Sequence, residues 1–435
     1  MCKAILAAVA VLSIASRADA FCGFFVGKAD AQLFNGSSQV AIVRDGEHTV
    51  ITMGTDYSGP LTEFALVVPV PSVLQREQIH LGDKRLLDRL AAYSAPRLVE
   101  YTDPDPCEER HELSRRYLQA PMAASAALDK RMPAKALGVT VEASYSVGEY
   151  DIVLLSAQAS GGLETWLRQS GYRIPQRAAE ALAPYVRQKM KFFVARVNLK
   201  EAGGVKQLRP IQIAFDSERF MLPIRLGMAN ADGGAQDLIV YAMSRKGRVE
   251  STNYQTAKMP GDVDVPEFVQ KDFGGFYKSV FAHALRARDS RAVFTEYVWN
   301  MSSCDPCAAP PLERDELAAL GVFWLDEGPR RAGSMPLTLT RLHVRYDGEH
   351  FPEDLLFQAT GDQQLFQARY VLRHPFPGAS SCAAGEQYAQ DLTARRRAEA
   401  VTLAQLTGWS SASIAERMGP DASVPSPAWW KKLWR

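Results

Sequence analysis

Two cysteines three positions apart are the residues of this chain whose type and spacing most clearly suggest chemistry. Cys304 and Cys307 enclose Asp305 and Pro306, giving the sequence C-D-P-C. Such a pair can exchange electrons as a dithiol and a disulfide, supply half of a metal site, or form structural disulfides. In the redox case, Cys304 would be the attacking thiol and Cys307 the resolving thiol. That role requires a lowered thiol pKa, which a helix N-terminus at the first cysteine can provide.

The segments on either side of the pair help to decide between these interpretations. Residues 293–299 are rich in β-branched and aromatic side chains and predict a strand that leads into the cysteines. Pro310 and Pro311 follow closely, and proline inside a helix removes a hydrogen bond and clashes with the preceding turn. We therefore expect the next helix to begin at Pro311, where proline is favoured, and to end at Gly321. The thiols would then lie on a loop before the helix, which weakens the redox interpretation.

The cysteine content favours structural disulfides. The sequence has six cysteines, of which Cys2 lies in an N-terminal leader, so five remain and at least one has no partner within the chain. Asp-Pro-Cys occurs twice, at residues 105–107 and 305–307. A bond between distant cysteines restrains the unfolded chain by about 3–5 kcal/mol, and a local bond by far less. We therefore expect Cys304 and Cys307 to be cross-link points, and the candidate partners are Cys22, Cys107 and Cys382.

A metal site at the C-x-x-C pair would need ligands from elsewhere in the chain. The side chains that could complete it are Cys107, Cys382, His343, His350 and His374. They form no second local pair at ligand spacing, and cysteines of exported proteins usually oxidise. We therefore predict no metal and no cofactor.

The standard catalytic signatures are also missing from the sequence. It contains no G-x-S-x-G, no Gly-rich phosphate loop and no G-x-G-x-x-G, and His111-Glu112 lacks the second histidine of H-E-x-x-H. We assign no catalytic residue and favour a non-enzymatic binding or interaction module that recognises an envelope protein or a ligand. Thiol–disulfide exchange at Cys304 and Cys307 is the alternative, and metal binding is a weaker one.

The N-terminus has the pattern of a secretory signal peptide. Lys3 precedes an apolar stretch over residues 4–14, and Ala18-Asp19-Ala20 is a cleavage signal. We expect cleavage after Ala20 and a periplasmic or secreted protein. The chain of 435 residues carries 50 basic and 49 acidic side chains, a formal net charge of +1. This balance provides no field that attracts nucleic acid, so nucleic acid is not an expected partner.

The remaining pattern alternates short strands with helices and predicts an α+β fold that is mostly antiparallel and supported by disulfides. Asp45-Gly46 joins two alternating strands as a hairpin turn, and the apolar run Phe64–Val70 predicts a strand covered on both faces. A helix in the middle of the chain should stop or bend at Pro184, because proline cannot continue the hydrogen-bond pattern. An Ala- and Arg-rich helix near the C-terminus should end at Gly408.

The predicted domain organisation follows these patterns. It comprises the signal peptide at residues 1–20, a β-rich domain with one helix at 21–118, a loop or linker at 119–137, an α+β middle region at 138–265, a C-terminal α+β region containing C-D-P-C at 266–408, and a tail at 409–435.

The tail ends in seven residues that hold three tryptophans and three cations. Tryptophan and lysine are favoured at membrane interfaces, so peripheral membrane contact is an expected interaction. The alternative is that the aromatic side chains pack on the body of the protein. The candidate interface residues are Trp429, Trp430, Lys431, Lys432, Trp434 and Arg435.

Six stretches spread over most of the chain are similar in sequence to one bacterial family. They are Phe21-Cys22-Gly23, FALVVPVP at 64–71, SAPRLVEYTDPDPC at 94–107, WLRQSGY at 166–172, CDPC at 304–307 and RYVLRHP at 369–375. In these stretches the chain resembles an uncharacterised family of exported bacterial proteins, domain of unknown function 2330. The resemblance implies a bacterial envelope or secreted protein and supplies no activity or catalytic residue. The tryptophan-rich tail is not part of it.

Overall fold

A computed structural model of the protein describes most of the chain. The described residues are 24–28, 34–35, 38–54, 57–58, 64–108, 139–169, 172–173, 178–198, 208–229, 234–303, 305, 309–325, 335–378 and 380–419. Cys22, Cys304, Cys307, the predicted linker at 119–137 and the tail residues 429–435 lie outside these ranges.

Helices and short strands alternate along the described chain. The strands are β1 Phe24–Lys28, β2 Phe34–Asn35, β3 Ser38–Asp45, β4 His48–Gly54, β5 Tyr57–Ser58, β6 Phe64–Val70, β7 Ile79–Leu81, β8 Arg97–Thr102, β9 Val139–Val147, β10 Tyr150–Ala157, β11 Tyr172–Arg173, β12 Lys191–Val197, β13 Ile211–Asp216, β14 Met221–Leu222, β15 Gln236–Ser244, β16 Val249–Ser251, β17 Gln255–Lys258, β18 Val263–Val265, β19 Ala292–Asn300, β20 Thr338–Tyr346, β21 Leu355–Ala359, β22 Phe366–Gln367 and β23 Arg369–His374. The helices are α1 Lys84–Ser94, α2 Ser160–Gln169, α3 Ala178–Arg187, α4 Arg225–Ala229, α5 Phe273–Arg286, α6 Arg314–Ala319, α7 Ala383–Thr407 and α8 Ser411–Met418, with 3-10 turns at Arg76–Gln78 and Glu267–Asp272. None of these helices combines the length and the apolar character needed to cross a membrane.

Two large sheets organise the strands. One has the order β11-β1-β6-β12-β10-β9 and is antiparallel throughout. The other has the order β17-β19-β20-β15-β3-β4-β13-β7, and its pairings β15–β3 and β17–β19 are parallel. The predicted α+β fold with mostly antiparallel strands is confirmed. The second sheet takes strands from residues 21–118, 138–265 and 266–408, while the predicted domain boundaries themselves stay a prediction.

The main core lies between the two large sheets, and smaller cores lie under the helices. Successive residues of β3 point to opposite sides, as the period of a strand requires. Val40 and Ile42 pack into the core between the sheets. Ala41 and Val43 pack with α1 on the other face. Helices α2 and α3 cover the outer face of the six-stranded sheet. Helices α5, α7 and α8 form a fourth core with a small parallel sheet of order β18-β23-β8.

Several local sequence signals are confirmed. Gly46 takes a φ of +58° in the hairpin between β3 and β4, and Phe64–Val70 is a strand with the predicted bounds. Gly408 ends α7 with a φ of +70°, the left-handed conformation that glycine adopts at low cost.

Helix α3 continues through Pro184 to Arg187, so of the two outcomes predicted at this proline the stop does not occur; Leu182 and Tyr185 on either side of it are fully buried. The prediction that the helix after the C-D-P-C segment begins at Pro311 is wrong, because that helix begins at Arg314. The carbonyl oxygen of Pro311 instead accepts a hydrogen bond of 2.9 Å from Arg89.

Candidate functional site

The segment around the C-x-x-C pair is fastened to the large sheet by its described neighbours. Asp305, between the two cysteines, is buried, and its Oδ2 accepts a hydrogen bond of 2.9 Å from the Tyr297 hydroxyl. The amide of Gln367 donates to the same oxygen at 3.3 Å. Upstream, the backbone N–H of Met301 donates to Leu337 at 2.8 Å. Helix α6 begins at Arg314, three residues later than predicted.

A disulfide joins Cys107 to Cys382, with the two Cα atoms 6.0 Å apart. Cys107 follows β8, and Cys382 is the N-cap residue of α7. Two of the five candidate disulfide cysteines are therefore bonded to each other, so neither is a partner for the C-D-P-C pair. The reason is spatial: β8 pairs with β23, which leads directly into α7.

A cavity of about 290 Å³ opens beside this disulfide-linked region, and we name it the arginine pocket. Its walls come from the 3-10 turn Glu267–Asp272, the end of β23, and helices α7 and α8. The charged residues that line it are Glu267, Lys271, Arg373, His374, Arg395, Arg396, Glu399 and Arg417. A cavity of this size lies at the lower end of the range typical of small-molecule sites.

Glu399 is the buried acidic group of the arginine pocket. Its side chain is 7% exposed, and its Oε1 lies 3.5 Å from Nε of Arg395 without forming a hydrogen bond. Burial raises the pKa of Glu399 to about 7. Attraction by Arg395 lowers this pKa, but repulsion from Asp264 and Glu267 raises it and partly offsets the attraction.

Arg395 is held in place from the other side of α7. Asp103, just after β8, accepts hydrogen bonds of 3.1 and 2.7 Å from the two terminal nitrogens of Arg395. The Tyr388 hydroxyl donates to Asp103 at 2.8 Å. Burial opposes ionisation of Asp103, but the hydrogen bonds from Arg395 and Tyr388 outweigh it and lower the pKa of Asp103.

The cations of the pocket are incompletely neutralised. Arg373 pairs with Asp264 at 3.1 Å and His374 pairs with Glu100 at 2.8 Å. By contrast, Lys271 and Arg417 have no carboxylate within 4 Å in the part of the chain that the structure describes. Arg417 instead lies over aromatic rings, 5.0 Å from the ring centre of Trp409. Such a guanidinium keeps its hydrogen-bond donors available to a ligand.

A second group of charges, on strands β15, β19 and β20, is enclosed. Glu296 is fully buried and contacts Nε of Arg341 at 2.6 Å and Nδ1 of His343 at 2.7 Å. His343 also lies 3.3 Å from Asp237 and stacks on Phe281, with ring centres 3.8 Å apart. The hydrogen-bonding capacity of these groups is used within the network, so we assign it a structural role.

The described residues contain no group of three His, Cys, Asp or Glu side chains that could share a metal ion. A second cavity, of about 340 Å³, lies at one end of the core between the large sheets. Its lining is mainly apolar and includes Ile51, Val68, Met190 and Phe215. It lacks the converging charges of the arginine pocket, which is therefore the better candidate site.

Comparison with known protein families gives one match. The sequence pattern of domain of unknown function 2330, described as an uncharacterized protein conserved in bacteria, matches residues 16–358. The chain belongs to this family. The matched region includes Cys22, Cys107, Cys304 and Cys307. It ends before β23, α7 and α8. No curated protein and no solved structure matches the chain.

The structure brings together only some of the residues singled out from sequence. Cys107 and Cys382 are bonded, and His374 lies at the arginine pocket. His343 belongs to the enclosed network, and His350 pairs with Asp347 at 2.8 Å. The structural description does not include Cys22, Cys304, Cys307 or the tail residues Trp429, Trp430, Lys431, Lys432, Trp434 and Arg435.

Glu399 and its surroundings were not predicted from the sequence. Glu399 lies in an Ala- and Arg-rich helix, where a glutamate is ordinarily a solvated surface residue. The sequence did contain a signal for the position of Glu399: it stands one residue before Ala400 and four before Leu403, which are both fully buried. That spacing places Glu399 at the edge of the apolar face of α7.

Proposed function

We propose that this protein is an exported component of the bacterial envelope that binds a small anionic ligand in the arginine pocket. The signal-peptide pattern ending at Ala20 supports export. Membership of a family conserved in bacteria supports the bacterial setting. The binding is non-covalent, and its specificity comes from the charges and hydrogen-bond groups of the pocket.

One observation carries the binding proposal. Nε of Arg395 is buried and has no hydrogen-bond partner among the described residues, and it meets the largely buried Glu399 only as an ion pair at 3.5 Å. Buried polar atoms are nearly always hydrogen-bonded, and leaving one without a hydrogen bond costs about 1–3 kcal/mol. A buried donor without a hydrogen bond in a cavity wall is a group that a polar ligand would satisfy.

The surrounding cations define the charge of that ligand. Lys271 and Arg417 line the pocket and provide positive charge that no described carboxylate within 4 Å neutralises. Arginine binds carboxylate and phosphate-type oxygens through its planar set of donors. The ligand is therefore a small oxyanion, or a small molecule that carries one.

The test is calorimetric titration of the mature protein with two probe anions, oxalate and sulfate. We expect saturable binding of at least one of them. Arg417→Gln should weaken it about tenfold or more, because a hydrogen bond to a charged group contributes about 1.5–3 kcal/mol. The matched control is Arg168→Gln on α2, where an exposed arginine pairs with Glu164 far along the chain from the pocket. Absence of binding, or equal affinity in the two variants, would contradict the proposal.

A second candidate function is thiol–disulfide exchange at the C-D-P-C pair. The observation that favours it is the Cys107–Cys382 bond, which removes two of the three distant partners considered for Cys304 and Cys307. In this reaction, the Cys304 thiolate attacks a substrate disulfide, and the displaced sulfur leaves as a thiol after taking a proton. Cys307 then attacks Cys304, which releases the second substrate thiol and leaves the pair oxidised.

Peptide mapping under non-reducing conditions separates the two candidate functions. A Cys304–Cys307 bond that a glutathione buffer reduces readily would support exchange. A bond from Cys304 or Cys307 to Cys22 that resists reduction would exclude it and leave the binding proposal unaffected.

A further inference from the structure

Charged groups face Glu399 from every element that encloses it. They are Arg395 and Arg396 on α7, Asp264 on β18, Glu267 and Lys271 on the 3-10 turn, Arg373 and His374 on β23, and Arg417 on α8. Burial opposes ionisation of Glu399, the two arginines of α7 favour it, and Asp264 and Glu267 oppose it. An anion bound beside Glu399 adds a further repulsion and therefore favours the protonated carboxyl group.

We infer that the arginine pocket binds its oxyanion together with one proton, which Glu399 carries and donates in a hydrogen bond to an oxygen of the ligand. The inference rests on the proposed function, because it concerns the same pocket. It makes Glu399 a specificity-determining residue. The ligand class narrows to carboxylates and other oxyanions that present a hydrogen-bond acceptor to the floor of the pocket.

The physical reason is the repulsion between two negative charges in a poorly solvated cavity. An ionised Glu399 and a bound oxyanion would lie side by side at the pocket wall, and the energy of such a pair is large where water is scarce. Protonation removes the repulsion and converts the carboxyl group from an acceptor into a donor. The pKa of Glu399, raised to about 7 by burial, makes this proton available near neutral pH.

The sign of the pH dependence follows from linkage. A bound anion raises the pKa of a neighbouring carboxyl group. Binding of the ligand therefore increases the affinity of Glu399 for a proton, and protonation of Glu399 increases the affinity of the pocket for the ligand. Below about pH 6, Glu399 is already protonated and the affinity should be nearly constant. Above about pH 7, a proton must be taken up with the ligand, and the affinity should fall by up to about tenfold per pH unit.

The alternative ligand class would behave in the opposite way. A zwitterion whose ammonium group contacts Glu399 would bind the ionised carboxylate and would take up no proton. Its affinity would rise between about pH 6 and pH 8 as Glu399 ionises. The direction of the pH dependence therefore separates an oxyanion from a zwitterion at the same site.

The experiment measures proton uptake by the mature protein on binding oxalate or sulfate, which stay fully ionised over this pH range. Calorimetric titrations at about pH 8 in two buffers with different heats of ionisation give the number of protons taken up. We expect close to one proton per ligand bound. Glu399→Gln keeps the shape of the side chain and should bind the probe with no uptake and with a flat pH profile.

A matched variant controls for the other titratable group at the pocket. His374→Gln alters a residue that lines the pocket and pairs with Glu100, so its affinity for the probe is not expected to stay unchanged. The proton uptake per ligand bound should still be close to one, because Glu399 is retained. Binding without proton uptake in the wild type, or uptake that persists in Glu399→Gln, would overturn this inference and leave the proposed function standing. Failure of the wild type to bind either probe would overturn both.

Discussion

Glu296 and Glu399 are both buried, yet their surroundings shift their pKa values in opposite directions. For Glu296, burial is outweighed by Arg341 and His343 at hydrogen-bond distance, and its pKa falls to about 2. For Glu399, burial prevails and its pKa rises to about 7. The difference lies in hydrogen-bond geometry: Glu296 is fully engaged, whereas Glu399 only approaches Arg395 at 3.5 Å. The first arrangement suits a permanent internal contact, and the second suits an open pocket.

Replacing Glu296 by glutamine should destabilise the protein by about 3–5 kcal/mol at neutral pH, because the buried Arg341 would lose its carboxylate partner and His343 would keep only Asp237. The pKa of Glu296 is lower in the folded protein than its ordinary value of 4.5. Its contribution is therefore present above about pH 4.5 and lost as the pH falls towards 2. Denaturant unfolding at neutral and acidic pH should show a difference between variant and wild type that shrinks with acidification.

The control for this prediction is Glu164→Gln, which removes an exposed pairing with Arg168 on α2. It should change the free energy of unfolding by less than about 1 kcal/mol. An equally small effect of Glu296→Gln would refute the structural role assigned to the enclosed network.

At the scale of elements, the region after β8 is joined to α7 in two ways. The Cys107–Cys382 bond fixes the first turn of α7. The ion pair between Asp103 and Arg395 fixes a later part of the same helix. Together these links hold one wall of the arginine pocket. The covalent link is independent of pH, whereas the ion pair weakens when Asp103 is protonated.

Removing the disulfide with the double substitution Cys107→Ser, Cys382→Ser should lower the free energy of unfolding by about 3–5 kcal/mol. The bond spans a sequence separation of 275 residues, so its loss frees a long loop in the unfolded chain. Denaturant midpoints at neutral pH measure the effect. Ala384→Ser adds a serine on an exposed position of the same helical turn and should alter stability by no more than about 0.5 kcal/mol. Equal midpoints for the double variant and wild type would contradict the prediction.

Local elements could be predicted from sequence where one strong signal governs them. The Asp45-Gly46 hairpin and the end of α7 at Gly408 depend on backbone conformations that glycine favours, and both are confirmed. Helix α3 continues past Pro184 because the burial of Leu182 and Tyr185 outweighs the missing hydrogen bond.

Contacts between distant segments could not be predicted in the same way. The parallel pairing of β15 with β3 joins strands about two hundred residues apart, and no local pattern specifies it. The arginine pocket depends on such contacts. Its cations come from a 3-10 turn, a strand and two helices, and only the fold makes them converge. The pairing of Cys107 with Cys382 was unpredictable for the same reason, since five cysteines allow many combinations.

At the scale of the whole molecule, an α+β body with a covalent cross-link belongs to a bacterial family that has no assigned activity. The leader pattern at residues 1–20 and the tryptophan-rich tail are proposed to set where this body is found. A disulfide persists in an oxidising compartment, so the Cys107–Cys382 bond agrees with the proposed export.

Export and membrane contact can be tested on protein produced with its leader in a bacterial host. Protein recovered from the periplasm should begin at Phe21 by intact mass, and retention of Met1 would exclude cleavage after Ala20. A fraction of it should sediment with membranes, and deletion of residues 429–435 should release that fraction because the tryptophans and cations are lost. Wild-type protein that remains entirely in the supernatant would rule out the membrane contact.

The small parallel sheet has a consequence for the order in which the chain folds. Arg97 of β8 lies opposite Arg369 of β23, so one of the earlier strands must wait for one of the last before its ladder can form. Pairings of such long range slow folding, because the cost of closing the intervening loop comes before any contact is gained. The small parallel sheet can therefore form only after β23 has been synthesised, whereas local hairpins such as β3–β4 can form earlier.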